Sequence, residues 1–226
     1  MKSLNYKKIF VFDFETTGLS PIKNKVIEVG GVLLEKKDQG YIVTKTMNYL
    51  VNPNEPLDPF ITKLTGITNE MLMMDGIDES VLFHELHNII DDDTLLVAYN
   101  LAFDIGFLIA LYQRHLSRTY IIKNDILDCM AVYKDRYPYP HKLSNAVEHF
   151  NLNHGNAHRA SDDALVTFKV LECLDEEKSN LDLYVNVLGY NPKYRPPDTS
   201  FFKKAITLVP QGMNGNREIE RIRSLE

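Results

Sequence analysis

The sequence is short of several things, and each shortage narrows what it can be. Only two cysteines occur in 226 residues, Cys129 and Cys173. That is too few for a disulfide framework, and they lack the CxxC spacing of redox and zinc motifs. Both stand among apolar neighbours and read as reduced core thiols. No apolar run approaches the roughly 20 residues that a membrane span needs, so no membrane contact is expected. Residues 1–8 lead into an apolar stretch carrying Asp13 and Glu15, charges that the apolar core of a secretory leader would not hold. A cytoplasmic location is expected. Net positive charge is missing as well. The formal charge is −6, which argues against a protein that coats long duplexes through many Lys and Arg contacts to phosphate. It leaves room for an enzyme that grips only a strand end. Neither an internal repeat nor a low-complexity tract is found.

What is present is an ordinary globular composition, 44% apolar and 25% charged, enough for one large domain or one domain with a tail. The charge is uneven. Residues 191–226 hold seven Lys/Arg and four Asp/Glu, net +3, which leaves −9 for residues 1–190.

The period of two along residues 8–15 puts Ile9, Val11, Asp13 and Glu15 on one face and Phe10, Phe12 and Phe14 on the other. Apolar residues on both faces predict a central strand covered on both sides. Further strands are predicted at 26–34 and 41–51, joined by a short Asp38-Gln39-Gly40 hairpin turn. Helices follow at about 59–64 and 81–90, a strand at 94–99 runs directly into a helix at about 103–115, a short strand is placed at 120–122, and helices at about 127–135, 142–150 and 162–177. A meander followed by alternating helices and strands predicts an α/β fold, a mixed central sheet of about five strands with helices on both faces. Tyr190 to Ser200, with Asn191-Pro192 and Pro196-Pro197, reads as an irregular connector, followed by a basic extension with a helix at about 216–225.

Three clusters carry chemistry. Asp13 and Glu15 point the same way at the carboxyl end of a strand, where ligand sites gather in open α/β sheets. Such close carboxylates repel each other unless a cation lies between them; they also fit a pair of solvated acids. Asp104 opens the next helix, where an acid can simply complement the helix dipole. In His158-Arg159-Ala160-Ser161-Asp162-Asp163, Ser161 could cap the following helix, which leaves His158 unexplained.

Taken together, Asp13-x-Glu15, Asp104 and His158-x4-Asp163 occur in that order, each at a strand end or a helix start. This resembles the 3′–5′ exonuclease superfamily named for its Asp-Glu-Asp-Asp carboxylates, in the subtype with His in the third motif. The likeness is greatest to the branch of the proofreading epsilon subunit of bacterial DNA polymerase III and its stand-alone relatives. Phe12 to Leu19 looks like the first motif, Val26-Ile27-Glu28-Val29-Gly30 like the strand after it, Leu64-Thr65-Gly66-Ile67-Thr68 like a family loop, and Asn100 to Ile105 like the second motif. Tyr99 stands where many relatives have His, and Asp128 matches a family acid with a supporting role.

The resemblance implies a ribonuclease H-like fold, with residues 1–180 as the exonuclease domain and 181–226 as a C-terminal extension of unassigned role. It implies two divalent ions: Asp13, Glu15 and Asp163 hold the one that activates water, and Asp13 with Asp104 holds the second near the leaving oxygen. Oxygen ligands suit Mg²⁺ or Mn²⁺, and His158 is the candidate general base, since imidazole titrates near neutrality. Thr16, Thr17, Gly18, Leu19, Leu64, Asn100 and Phe103 are the candidate contacts to the terminal nucleotide, with turn geometry and core packing as the alternative for each. The expected substrate is a single-stranded DNA 3′ end, with RNA as the alternative, and a DNA polymerase subunit is a candidate partner. A catalytically silent polymerase-binding module is a further alternative, which the complete set of acids and His158 argues against. Neither a polymerase domain nor a clear clamp-binding pentapeptide is found.

Overall fold

The two faces read along residues 8–15 each meet a different layer of helices. The computed structural model describes all residues except 39, 154, 156–157, 213–216 and 225–226. Strands β1 (Lys8–Thr16), β2 (Val26–Lys37) and β3 (Gly40–Leu50) form an antiparallel meander. Strands β4 (Leu95–Ala98) and β5 (Ile126–Asp128) extend it in parallel on the other side of β1, giving the order β3-β2-β1-β4-β5. This is the mixed five-stranded sheet expected. Gln39 of the expected hairpin turn lies outside the described residues, while its flanks Lys37 and Gly40 pair directly.

Helices cover both sides. Phe10, Phe12 and Phe14 pack with Leu82 and Leu86 of α3 (Glu79–Ile89) and with Leu108 and Leu111 of α4 (Leu101–His115). Ile9 and Val11 pack with α5 (Cys129–Arg136), α6 (Leu143–His149) and α7 (Ala160–Glu177) through Val132, Val147, Val166 and Val170. Among the described residues no helix is long and apolar enough to cross a membrane. Cys129 is buried and Cys173 half-buried, both as free thiols.

Two short helices, α1 (Pro59–Thr65) and α2 (Asn69–Asp75), flank the Leu64-to-Thr68 loop. Gly66 closes α1 at φ 73, a left-handed position that glycine takes without steric cost, and Thr68 caps α2 by accepting from Met71 N. Ile67 is fully buried against Ile27, Leu57, Ile61 and Leu72, so this loop is anchored to β2.

Three expectations are corrected. No strand forms at 120–122, where Ile122 makes only an isolated bridge to Phe202. The fifth strand is β5, which overlaps the start of the stretch read as helix. A three-residue strand buried throughout leaves no alternation to read, and its existence depends on pairing with β4. Ser161 does not cap α7, whose first residue is Ala160 with Arg159 at the cap position. The amide of Ala160 is instead satisfied by Glu28 Oε2 at 3.0 Å.

The tail is packed onto the same body. A parallel pair, β6 (Val187–Tyr190) and β7 (Thr207–Pro210), follows a 3-10 turn at Leu181–Tyr184, and α8 (Glu218–Arg223) closes the chain. Val187, Val209 and Ile219 join the interior beside α7, and Leu188 joins that beside α4. Asp135 on α5 accepts from Ile219 N at 3.1 Å and from Tyr184 OH at 3.1 Å.

At Gly30, β2 and the start of α7 approach each other backbone to backbone. A Cβ on Gly30 would lie 1.9 Å from the Ala160 carbonyl carbon and 2.1 Å from Ser161 N. Both neighbours are backbone and neither can give way alone. Gly30→Ala is therefore expected to destabilise the fold by about 1–3 kcal/mol, read as a lowered urea midpoint. An unchanged midpoint would contradict this packing.

Candidate active site

The site is built where β1 ends. Between Glu15 and Thr16 the register with β2 shifts, because Ile27 of β2 is passed over between the pairs Glu15–Glu28 and Thr16–Val26. After Thr16 the chain leaves the strand into the loop that carries Thr17 to Leu19. Asp13 and Glu15 leave the strand on the α7 side. There the ligand-bearing atoms of Glu15, His158 and Asp163 lie within 4.8 Å of one another. His158 takes φ 65, and its amide donates to Asp163 Oδ2 at 3.3 Å. Asp104, in the first turn of α4, is buried and accepts from Phe14 N at 3.0 Å through Oδ1. That bond locks α4 to the strand segment between Asp13 and Glu15.

The electrostatics are those of acids forced together. Burial, then the charges of Asp163 and Glu28, push the Asp13 carboxyl up to about 8. Burial, then Asp13, Asp163 and Glu28, push Glu15 up to about 8, with Arg159 opposing the rise. Burial and Asp13 carry Asp104 well above the usual carboxylate range, against the pull of the Phe14 amide. A group of oxygen donors that resists ionisation together is the donor chemistry expected of a site for a hard divalent cation.

The remaining expected contacts differ in exposure. Leu19 is 85% exposed and Leu64 44% exposed, as apolar side chains left for a ligand or for solvent. Asn100 is exposed at φ 68, its amide held by Asp128 Oδ1 at 3.0 Å. Phe103 is half-buried, its ring 5.1 Å from that of Phe107. Thr16 and Thr17 are engaged within their own loop: Thr16 Oγ1 donates to Gly18 O at 2.7 Å, Thr17 N donates to Lys25 O at 2.9 Å, and Thr17 Oγ1 accepts from Lys25 N at 3.1 Å. Turn geometry accounts for these groups. Tyr99 is buried, its hydroxyl donating to His141 O at 2.8 Å.

Sequence reasoning gave no separate role to Glu28, Gly30 or Arg159. Glu28 is fully buried, pairs across the sheet with Glu15, and accepts from Arg159 Nε at 2.9 Å. The signal was available: Glu28 and Gly30 share a face of an otherwise apolar strand, and a buried acid there needs a cation. Asp128 is buried and accepts from Met130 N at 3.0 Å as well as from Asn100 N. It therefore joins the starts of α4 and α5. Burial lifts it to about 6 despite those amides.

The RNase_T family model, described as Exonuclease, matches residues 10–171. A PolC-type DNA polymerase III of Latilactobacillus sakei is 34% identical over 200 residues, 86% of this chain and 13% of that protein. The 3′–5′ exonuclease DinG of Bacillus subtilis is 32% identical over 177 residues, 76% of this chain and 18% of that protein. The chain thus spans less than a fifth of the length of either relative. E. coli exonuclease I, solved with a dA16 oligonucleotide, shares the fold at a TM-score of 0.67 and 18% identity, over 77% of this chain and 42% of that one.

The raised carboxyls link stability to pH and to cations. With no cation bound, the folded chain holds protons that the unfolded chain releases between the ordinary carboxylate range and about pH 8. The unfolded state then binds fewer protons, so stability falls as pH rises through that window. A divalent cation replaces those protons. The gain in Tm on adding Mn²⁺ is expected to be larger at the alkaline end of the window than at its acid end, read by thermal unfolding at several pH values. A gain independent of pH would count against cation binding at these acids.

Proposed function

The chain belongs to this exonuclease family, and from that premise we propose that it is a 3′–5′ exonuclease releasing mononucleotides from single-stranded DNA. Its ions are two Mg²⁺ or Mn²⁺, held by Asp13, Glu15, Asp104 and Asp163. The observation that carries this reading is the convergence of Glu15, His158 and Asp163 ligand atoms within 4.8 Å at the end of β1. Asp13 lies close enough to Asp163 for that charge to raise its carboxyl, and close enough to Asp104 to raise that one in turn. When bound, such cations supply countercharge to the acids and the phosphodiester and make water acidic enough to attack at neutral pH.

The chain's own residues do the rest. His158 is exposed at the site and takes the proton of the attacking water. The water oxygen bonds to phosphorus as the bond from phosphorus to the 3′ oxygen of the preceding nucleotide breaks; that oxygen takes a proton from solvent, and a nucleoside 5′-monophosphate leaves. Asp163 accepts from the His158 amide and so steadies the base. Leu19, Leu64 and Phe103 give the terminal base an apolar surface and Asn100 a polar edge, while the Thr16-Thr17-Gly18 turn sets their height. Contact of that kind reads any base, so little sequence preference is expected. Residues 1–180 are the catalytic unit, braced by 181–226. Its proposed setting is proofreading or repair in the cytoplasm, alongside a polymerase subunit; the likeness to PolC-type DNA polymerase III supports the last of these.

The test is digestion of 5′-labelled single-stranded DNA with Mg²⁺ or Mn²⁺. A ladder shortening by one nucleotide from the 3′ end is expected, with loss of activity in chelator and in Asp13→Ala/Glu15→Ala. His158→Ala is expected to lower kcat by about 10²–10⁴-fold. Faster trimming of a matched ribo-oligonucleotide would transfer the substrate to RNA, and internal cuts would overturn the proposal.

A further inference from the structure

Glu28 stands among the acids at the end of β1 but is not free to hold an ion. Its Oε1 accepts from Arg159 Nε at 2.9 Å and Nη2 at 2.7 Å, and its Oε2 accepts from Ala160 N at 3.0 Å. The residue is fully buried, and both oxygens are directed at one dipeptide. That dipeptide directly follows His158 and ends three residues before Asp163. Glu28 itself sits opposite Glu15 in the β1–β2 register. Gly30, two residues further on the same face, leaves no room between β2 and Ala160. The start of α7 is thus both tied and pressed to the strand that neighbours Asp13 and Glu15.

We propose that Glu28 is a positioning residue which, by clamping Arg159 and Ala160, sets His158 and Asp163 against Asp13 and Glu15. His158 is held at φ 65, a left-handed conformation that disfavours a side chain, so its place depends on what anchors the next two residues. The third motif reaches β2, the strand paired with the first motif, across 131 positions of sequence, and this carboxylate joins them. The Arg159 guanidinium meanwhile offsets the repulsion that two facing acids would otherwise exert. It acts on Glu15 as well as on Glu28.

The inference rests on the exonuclease reading for its kinetic arm but not for its binding arm. Glu28→Gln keeps the shape and removes the charge and one acceptor; Arg159→Lys keeps the charge and removes the fork. Thermal unfolding establishes that each variant folds. For Glu28→Gln the expected result is kcat lowered about 10- to 100-fold and Mn²⁺ affinity, read by calorimetry, weakened on a similar scale. KM for single-stranded DNA should be nearly unchanged. Arg159→Lys should show a smaller loss of both in the same direction, and it decides the matter alone if Glu28→Gln does not fold. A lowered Tm with kcat and Mn²⁺ affinity at the wild-type level would make Glu28 merely structural and overturn the proposal. A loss in Glu28→Gln with none in Arg159→Lys would assign Glu28 a direct contact with the ion, and would also overturn it. If the wild type trims no nucleic acid, the exonuclease reading falls while Mn²⁺ affinity still judges the clamp.

Discussion

Asp13 and Glu15 repel each other from adjacent same-face positions on a strand buried in the middle of the sheet, and the structure around them is arranged to hold that repulsion in place. Asp104 and Asp163 are brought to the same strand end from the first turns of two helices, which adds negative charge where burial already disfavours it. Opposing this are fixed backbone donors: Phe14 N to Asp104, His158 N to Asp163 and Ala160 N to Glu28. Each of these amides belongs to a residue beside a site acid or within the third motif. The same bonds that keep the carboxylates ordered therefore keep the motifs in register with one another. One guanidinium, that of Arg159, lies on the protein side of the cluster against Glu28.

The parts of this arrangement that could be read in the sequence are those with a local signature. The two-faced alternation of β1, the acid pair two residues apart and the strand running straight into α4 follow from periodicity alone, and they place Asp13, Glu15 and Asp104. The grouping of His158 and Asp163 with them came from likeness to a family, since nothing within residues 158–163 says which strand the segment will meet. The illegible parts are long-range. Glu28 reads as one acid in an apolar strand until Arg159 is seen to face it. Gly30 reads as a flexible residue until Ala160 is found where its side chain would be. β5 is three residues long and is made a strand by β4, so its own propensity could not announce it. Tyr99 in place of histidine looked like a change in the pocket, but its hydroxyl is spent on His141 O inside the protein.

The tail shows how support for the site extends through the fold. Asp125 accepts from Asn186 Nδ2 at 2.5 Å and pairs with Lys204 at 2.8 Å, while Asn186 exchanges bonds with the backbone of Ile126 at 2.8 and 3.1 Å. Asn186 thereby occupies the outer edge of β5, which would otherwise present unpaired amides and carbonyls. Further along, Gln211 Nε2 donates to Ala131 O at 3.0 Å from a fully buried position, and Asp135 receives the start of α8. These contacts fall on α5 and on β5 or the residue just before it, the two elements that meet at Asp128. Since Asp128 in turn holds the amide of Asn100 at the head of α4, the basic extension bears on the second motif through packing and hydrogen bonds, at a distance from the acids themselves. Its net positive charge is then not needed to explain why the described residues of this extension pack against the core. Burial of Val187, Leu188, Val209 and Ile219 already does so, at about 1.5–3 kcal/mol for each such side chain removed from water.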